Sequence, residues 1–84
     1  METVTDKHIK LFARRLRELR NEKGYSQKEL AKIIGCAPGL ISYYETCKRE
    51  PGFTNILKLC QEFDESPDYL LGVTNYRSIK KIAK

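Results

Sequence analysis

The stretch Ser26 to Glu45, SQKELAKIIGCAPGLISYYE, constrains this chain more than any other, because its residue types fall at spacings that specify two short helices joined at a glycine. Ser26 is placed to cap the first of them by accepting from backbone N–H groups, and Glu29, three residues on, can reach back to complete a capping box. Leu30, Ala31, Ile33 and Ile34 then supply an apolar face about two turns long, with Ala31 small enough for a second helix axis to come close. Gly35 stops the helix, since the left-handed conformation at C′ suits glycine, and apolar Cys36 after it sharpens the corner. Pro38 reads as the first residue of the next helix, where its missing N–H costs nothing, and Leu40, Ile41 and Tyr44 continue at helical spacing to Glu45. The unit is a helix-turn-helix.

At this length of 84 residues the chain is one domain, small but within the range that folds without covalent staples. Sixteen Lys and Arg against eleven Asp and Glu leave a net charge of +5, which suits a polyanionic partner but does not by itself distinguish one from a solvated surface. Cys36, Cys47 and Cys60 are odd in number, far apart and without a C-x-x-C pair, so no disulfide framework is expected. With no signal-like segment and no apolar run long enough for a bilayer, a reducing cytoplasm is the expected compartment. His8 is the single histidine, and no cysteine pair or second histidine stands at ligand spacing, so neither a metal nor another cofactor is expected. Asp64, Glu65 and Asp68 surround a cap and read as helix-start acids rather than as a carboxylate site. No nucleophile, base and orienting residue assemble, so no enzyme is expected.

In chain order, Thr5 or Asp6 is the expected cap of a first helix, whose Ile9, Phe12, Ala13, Leu16 and Leu19 form a core face. Lys10, Arg14, Arg15 and Arg17 make its other face basic, either as a soluble exterior or as contacts to phosphates flanking a site. Gly24 ends it. After Glu45 comes a loop carrying Lys48 and Arg49, then a fourth helix with the stripe Phe53, Ile56, Leu57, Cys60 and Phe63. Ser66 and Pro67 start a short fifth helix, Asp68 to Leu71, with Leu70 in the core and Gly72 as its stop. The domain is expected over 6–72. The tail, 73–84, places Tyr76, Ile79 and Ile82 on one side of a helical pattern, with Arg77, Lys80, Lys81 and Lys84 around them. It is the expected carrier of a dimer contact.

The central stretch is similar to the phage-repressor (Cro/CI-type) helix-turn-helix family, whose pattern runs S-Q-x-E-L-A, then G, a small apolar residue, a polar cap, I-S-x-Y-E, then K and P. Ser26, Gln27, Glu29, Leu30, Ala31, Gly35, Cys36, Ile41, Ser42, Tyr44, Glu45, Lys48 and Pro51 occupy those places, and the likeness runs from about Leu16 to Leu71. It implies an all-α, five-helix, lambda-repressor-like domain with 38–45 as the recognition helix in the major groove of double-stranded DNA. It implies DNA contacts from Gln27, Ala37, Pro38, Gly39, Leu40, Ser42, Tyr43, Lys48 and Arg49. It also implies a pair between Arg20 and Glu45, and it places glycine where this chain has Cys47. The reading is a transcriptional repressor acting as a homodimer on a palindromic operator. An alternative keeps the same fold as an antitoxin-like module for a protein partner, because Ala37, Pro38, Gly39 and Leu40 stand where the family usually has polar base readers.

Overall fold

In the computed structural model, which describes residues 3–77, α1 spans Val4–Lys23, α2 Gln27–Ile34, α3 Leu40–Glu45, α4 Phe53–Phe63 and α5 Pro67–Leu70. No strand occurs among the described residues, and the five-helix, all-α architecture is the one the resemblance implies. One residue on each helix is sealed completely: Leu16, Leu30, Ile41, Leu59 and Leu70 meet in a single core. Phe12 and Tyr44 pack edge to face there, with ring centroids 5.6 Å apart. The Tyr44 hydroxyl, carried to the rim of that core, accepts from Asn55 Nδ2 at 3.0 Å.

Several boundaries and faces differ from the sequence expectation. The cap of α1 is Thr3, not Thr5 or Asp6: Thr3 Oγ1 accepts from the Asp6 N–H while the Asp6 carboxylate accepts from the Thr3 N–H, so Asp6 closes a capping box rather than starting the helix. The third helix begins at Leu40, not Pro38. The residue before a proline is held extended, so the chain first turns through Pro38 and Gly39, with the Leu40 N–H donating to Ala37 O. Leu71 caps α5 instead of lying inside it.

On α2 the buried seam is Leu30, Ala31 and Ile34, and Ile33 is 46% exposed, one residue's rotation outside it. On α4 the seam is Ile56, Leu59, Cys60 and Phe63; Phe53 and Leu57 are exposed because the stripe that meets the other helices lies one position round. Arg15 is buried rather than part of the basic exterior. Its guanidinium lies over the Tyr69 ring, 4.3 Å from the centroid, and donates to Tyr69 O, Thr74 O and Asn75 Oδ1.

Residues 73–77 are not helical and run back over the domain. Arg77 donates to Glu65 through Nε at 2.7 Å and to both oxygens of Glu22 at 2.9 and 3.0 Å. Glu65, read as a helix-start acid, is therefore the buried partner of an arginine. The turn beneath this strap is tight. Gly72 has φ +82°, and a Cβ there would lie 2.8 Å from Leu11 Cδ1, while His8 Nδ1 bonds Leu71 O at 2.8 Å. Tyr76 is exposed; Ile79 and Ile82, with Lys80, Lys81 and Lys84, lie outside the described residues.

Candidate nucleic-acid interface

The helix-turn-helix assembles from local rules first. Ser26 Oγ accepts from the Glu29 N–H at 2.9 Å and Glu29 Oε1 accepts from the Ser26 N–H at 2.8 Å; hydrogen bonding from the Ser26 backbone, and then from its side chain, holds the Glu29 carboxyl below its usual range. Gly35 ends α2 at φ +74°, and the Cys36 N–H donates to Ala31 O, which turns the chain sharply toward α3. Cys36 packs against the core, where burial pushes its thiol up; deeper in, burial beside Glu65 takes Cys60 to about 11. Cys60 is buried in the stripe of α4, as expected, and Cys36 is half-buried in the turn.

Three elements then converge on one carboxylate. Glu45, at the end of α3, has a side chain only 1% exposed. Arg20 of α1 grips it with Nε at 2.7 Å and Nη2 at 3.0 Å, a two-point pairing that fixes orientation as well as distance. Arg20 also donates to Tyr25 O at 2.8 Å, which ties the α1–α2 turn to the same arginine. Gln27, in the first turn of α2, donates to Glu45 Oε1 at 3.0 Å. Arg17 adds a bond from Nη2 to Glu45 O at 3.1 Å, where carbonyls at a helix C-terminus want a donor. Burial alone would raise the Glu45 carboxyl, but the bonds from Arg20 and Gln27, with the charges of Arg20 and Arg17, outweigh it and hold the group below the usual range. The implied Arg20–Glu45 pair is present, and Gln27 and Arg17 enlarge it.

With Glu45 pinned and Ile41 and Tyr44 in the core, the remaining positions of α3 are sorted by face. Ala37, Pro38 and Gly39 are exposed in the turn that leads in, and Tyr43, 47% exposed, is the large polar side chain on the outward face. Ser42 is half-buried. Leu40 is also half-buried and packs on the core, so much of its side chain points away from any ligand. Gln27 is half-buried too, and its amide N–H is committed to Glu45.

Past α3 the chain closes with bonds from Lys48 N–H to Tyr43 O at 2.8 Å and from Cys47 N–H to Tyr44 O at 3.3 Å, the two bonds of a Schellman ending. Cys47 occupies the left-handed position at φ +62°, so this chain keeps the glycine conformation without the glycine. That ending sets Lys48 and Arg49, both exposed, just beyond the C-terminus of the outward helix. The expected site residues thus fall into two groups: Ala37, Pro38, Gly39, Tyr43, Lys48 and Arg49 are presented to solvent, while Gln27, Leu40 and Ser42 are partly withdrawn. Arg17 is the residue that composition and pattern undervalued, since the basic run it belongs to gives no sign of which member meets α3. Among the described residues no group of three or more His, Cys, Asp or Glu side chains could hold one metal ion, and no helix is long and apolar enough to cross a membrane.

A protein-family model described as helix-turn-helix matches residues 16–70, from the middle of α1 to the end of α5. The HTH-type transcriptional regulator ImmR of Bacillus subtilis (strain 168) is 41% identical over 61 residues, which are 73% of this chain and 48% of ImmR, so the chain spans about half the length of that relative. The crystal structure of the restriction-modification controller protein C.AhdI from Aeromonas hydrophila is 38% identical, covers 76% of this chain and 97% of its own, and superposes with a TM-score of 0.69. The c2 repressor of phage P22, in complex with a synthetic operator, is 35% identical over 71% of this chain and 91% of its own, with a TM-score of 0.68. On the match of 16–70 and on these likenesses, the chain belongs to the helix-turn-helix family, among its phage-repressor (Cro/CI-type) members.

Proposed function

We propose that this domain is a sequence-specific DNA-binding transcriptional regulator, a repressor that lays α3 in the major groove of a palindromic operator. The observation that carries the reading is the Glu45 junction. It binds α1, the first turn of α2 and the last residue of α3 through Arg20, Gln27 and Arg17, and so holds Tyr43 and the Ala37–Gly39 turn outward on a rigid base. A base reader needs that fixity, because a side chain free to swing does not discriminate one base edge from another. Lys48 and Arg49 flank the same end of α3 and supply phosphate contacts. The P22 repressor of similar sequence and fold, seen on operator DNA, supports the assignment.

The protein acts in the cytoplasm as a homodimer, with the DNA-binding unit over about 6–72 and the residues from 73 onward contributing to pairing. Two half-sites one helical turn apart multiply the modest affinity of one small domain. Base reading rests on Tyr43 for hydrogen bonding and on Pro38 for apolar contact with thymine methyls, with Gly39 allowing close approach. So sparse a polar surface makes DNA shape a large share of specificity. The same sparseness favours one second reading, an antitoxin-like module whose outward face meets a protein. Selection of bound duplexes from a random pool separates the two: an enriched palindrome supports the repressor, and no enrichment overturns it. The salt dependence of binding gives the phosphate count, at a slope of roughly −0.9 in log affinity per contact.

A further inference from the structure

The basic exterior of α1 is a line rather than a scatter. Lys7, Lys10, Arg14 and Arg17 are spaced by three, four and three residues, which stacks them along one side of the helix, opposite the seam of Phe12, Leu16 and Leu19. Lys7, Lys10 and Arg14 are exposed, and the Arg17 side chain is 55% exposed while it holds Glu45 O. Arg15, which sequence pattern placed in this group, is excluded by its burial on Tyr69.

The line is joined to the loop after α3 at two points. Arg17 bonds the last residue of α3, and Lys10 shares a shallow cleft with Asp6, Ile9 and Cys47. Lys48 and Arg49 follow Cys47 directly, so the cations of the loop come close in the chain to the cleft that Lys10 lines. Three acids border these cations: Asp6, in the same cleft as Lys10 and Cys47 and engaged with the Thr3 N–H, Glu50, which follows Arg49, and Glu18, one turn after Arg14.

We infer that Lys7, Lys10, Arg14 and Arg17 form a second phosphate-binding rail, which seats the duplex backbone beyond the bases covered by α3. The inference rests on the DNA-binding reading above and extends its footprint. The row carries no aromatic anchor of the kind that dominates protein interfaces, and the cleft that Lys7, Lys10 and Arg14 share holds a single apolar side chain, half-buried Leu11. A surface dominated by regularly spaced charge fits a regularly charged polymer. From Lys7 to Arg17 the rise is about 15 Å at 1.5 Å per residue, and that length of duplex axis carries roughly four phosphates on one strand.

The test uses the duplex enriched from the random pool in two forms, trimmed to its enriched positions and extended by about one helical turn of arbitrary sequence at each end. The rail variant is Lys7→Gln, Lys10→Gln, Arg14→Gln; Arg17 is kept because it also holds α3. Extension should tighten binding of the unmodified domain and steepen its salt slope. The variant should lose that gain, flattening the slope by up to about 2.7 per bound subunit, for three contacts at roughly 0.9 each, and should match the unmodified domain on the trimmed duplex. Arg14→Gln alone should remove about a third of the effect, which guards against a global defect in the triple variant. Indifference of the unmodified domain to extension, or an equal loss by the variant on both duplexes, overturns the rail and leaves the α3 reading standing. Failure of the unmodified domain to bind any duplex overturns both.

Discussion

The two helices of the helix-turn-helix are built on opposite plans. α2 is self-contained: a reciprocal capping box at Ser26 and Glu29, an apolar seam, and glycine in the left-handed position at its end. α3 lacks the cap and the glycine. It is six residues long, starts at Gly39 with no side-chain cap, carries no acid in its first turn and no base in its last, and ends on a left-handed cysteine. Both are far shorter than the roughly 12–15 residues at which an isolated helix becomes even marginal, but α3 has local aid at its C-terminal end alone, from the Schellman closure and the Thr46 hydroxyl donating to Ser42 O. Its order comes from outside, through Ile41 and Tyr44 in the core and Glu45 in the grip of Arg20, Gln27 and Arg17. The consequence is functional. Because inward-facing residues hold the helix, the outward positions from Ala37 to Tyr43 are released from holding it and can be chosen for what they meet.

The largest test of this contrast is Glu45→Gln. Arg20 would keep its burial and lose its anion, a change that typically costs about 3–5 kcal/mol for a buried pair, read by urea unfolding. DNA binding should fall further than stability alone explains, since the base of α3 is released. Acid should show the same thing. The folded-state pKa of Glu45 is lowered relative to the unfolded chain, near 4.3, so its contribution is complete above that value and is lost as pH falls through the folded pKa. Unmodified protein should therefore lose stability more steeply below about pH 4.3 than Glu45→Gln does. Parallel acid profiles for the two proteins would mean that Glu45 does not hold the helix.

Next in size, Tyr43→Ala should weaken the specific duplex by about 1–3 kcal/mol and leave binding to random duplex unchanged. Unfolding should shift by no more than about 0.5 kcal/mol, as for an ordinary surface change. A matching loss on both duplexes would make Tyr43 a phosphate contact, and a large loss of stability would show that the outward face of α3 is not released after all.

The ends of the two helices give a paired test of smaller size. Gly35→Ala puts a side chain at φ +74° where the nearest atom to its Cβ is Lys58 Nζ at 3.9 Å, so the cost is conformational, about 1–2 kcal/mol. Cys47→Gly does the reverse at φ +62° and should stabilise by about 1 kcal/mol. Thermal unfolding of the two variants should move in opposite directions; the same sign for both would break the account of their endings. Smallest is Ser26→Ala, expected to cost about 1 kcal/mol through the lost cap on α2. Were it to equal Glu45→Gln in size, the distinction between a locally coded and a tertiary helix would not stand.

Residues alone determined the features that depend on neighbours a few positions apart. The capping box at Ser26, the stops at Gly24 and Gly35 and the cap at Ser66 before Pro67 all follow from backbone groups that need a partner, or a permissive residue, within about one turn. The gross seam of α1 was equally legible, since period-3.6 spacing names a face. Arg20 with Glu45 came instead from likeness to a family, because nothing in local spacing joins residues twenty-five apart. Tertiary structure decided which rotation of each short helix meets the others, and so left Ile33, Phe53 and Leu57 outside while it enclosed Leu59. It also took Arg15 inward to Tyr69 and Thr74, although Arg15 stands three residues after Phe12 and four before Leu19, a spacing that could have signalled a core-edge place. Glu65 found Arg77, Gln27 turned to Glu45, and residues 73–77 closed back on α1, each by a contact with a distant element. The physical reason is the same throughout: hydrogen-bond and conformational needs of the backbone are met locally and are written in adjacent residues, whereas burial is a property of surfaces that exist only once all five helices have met.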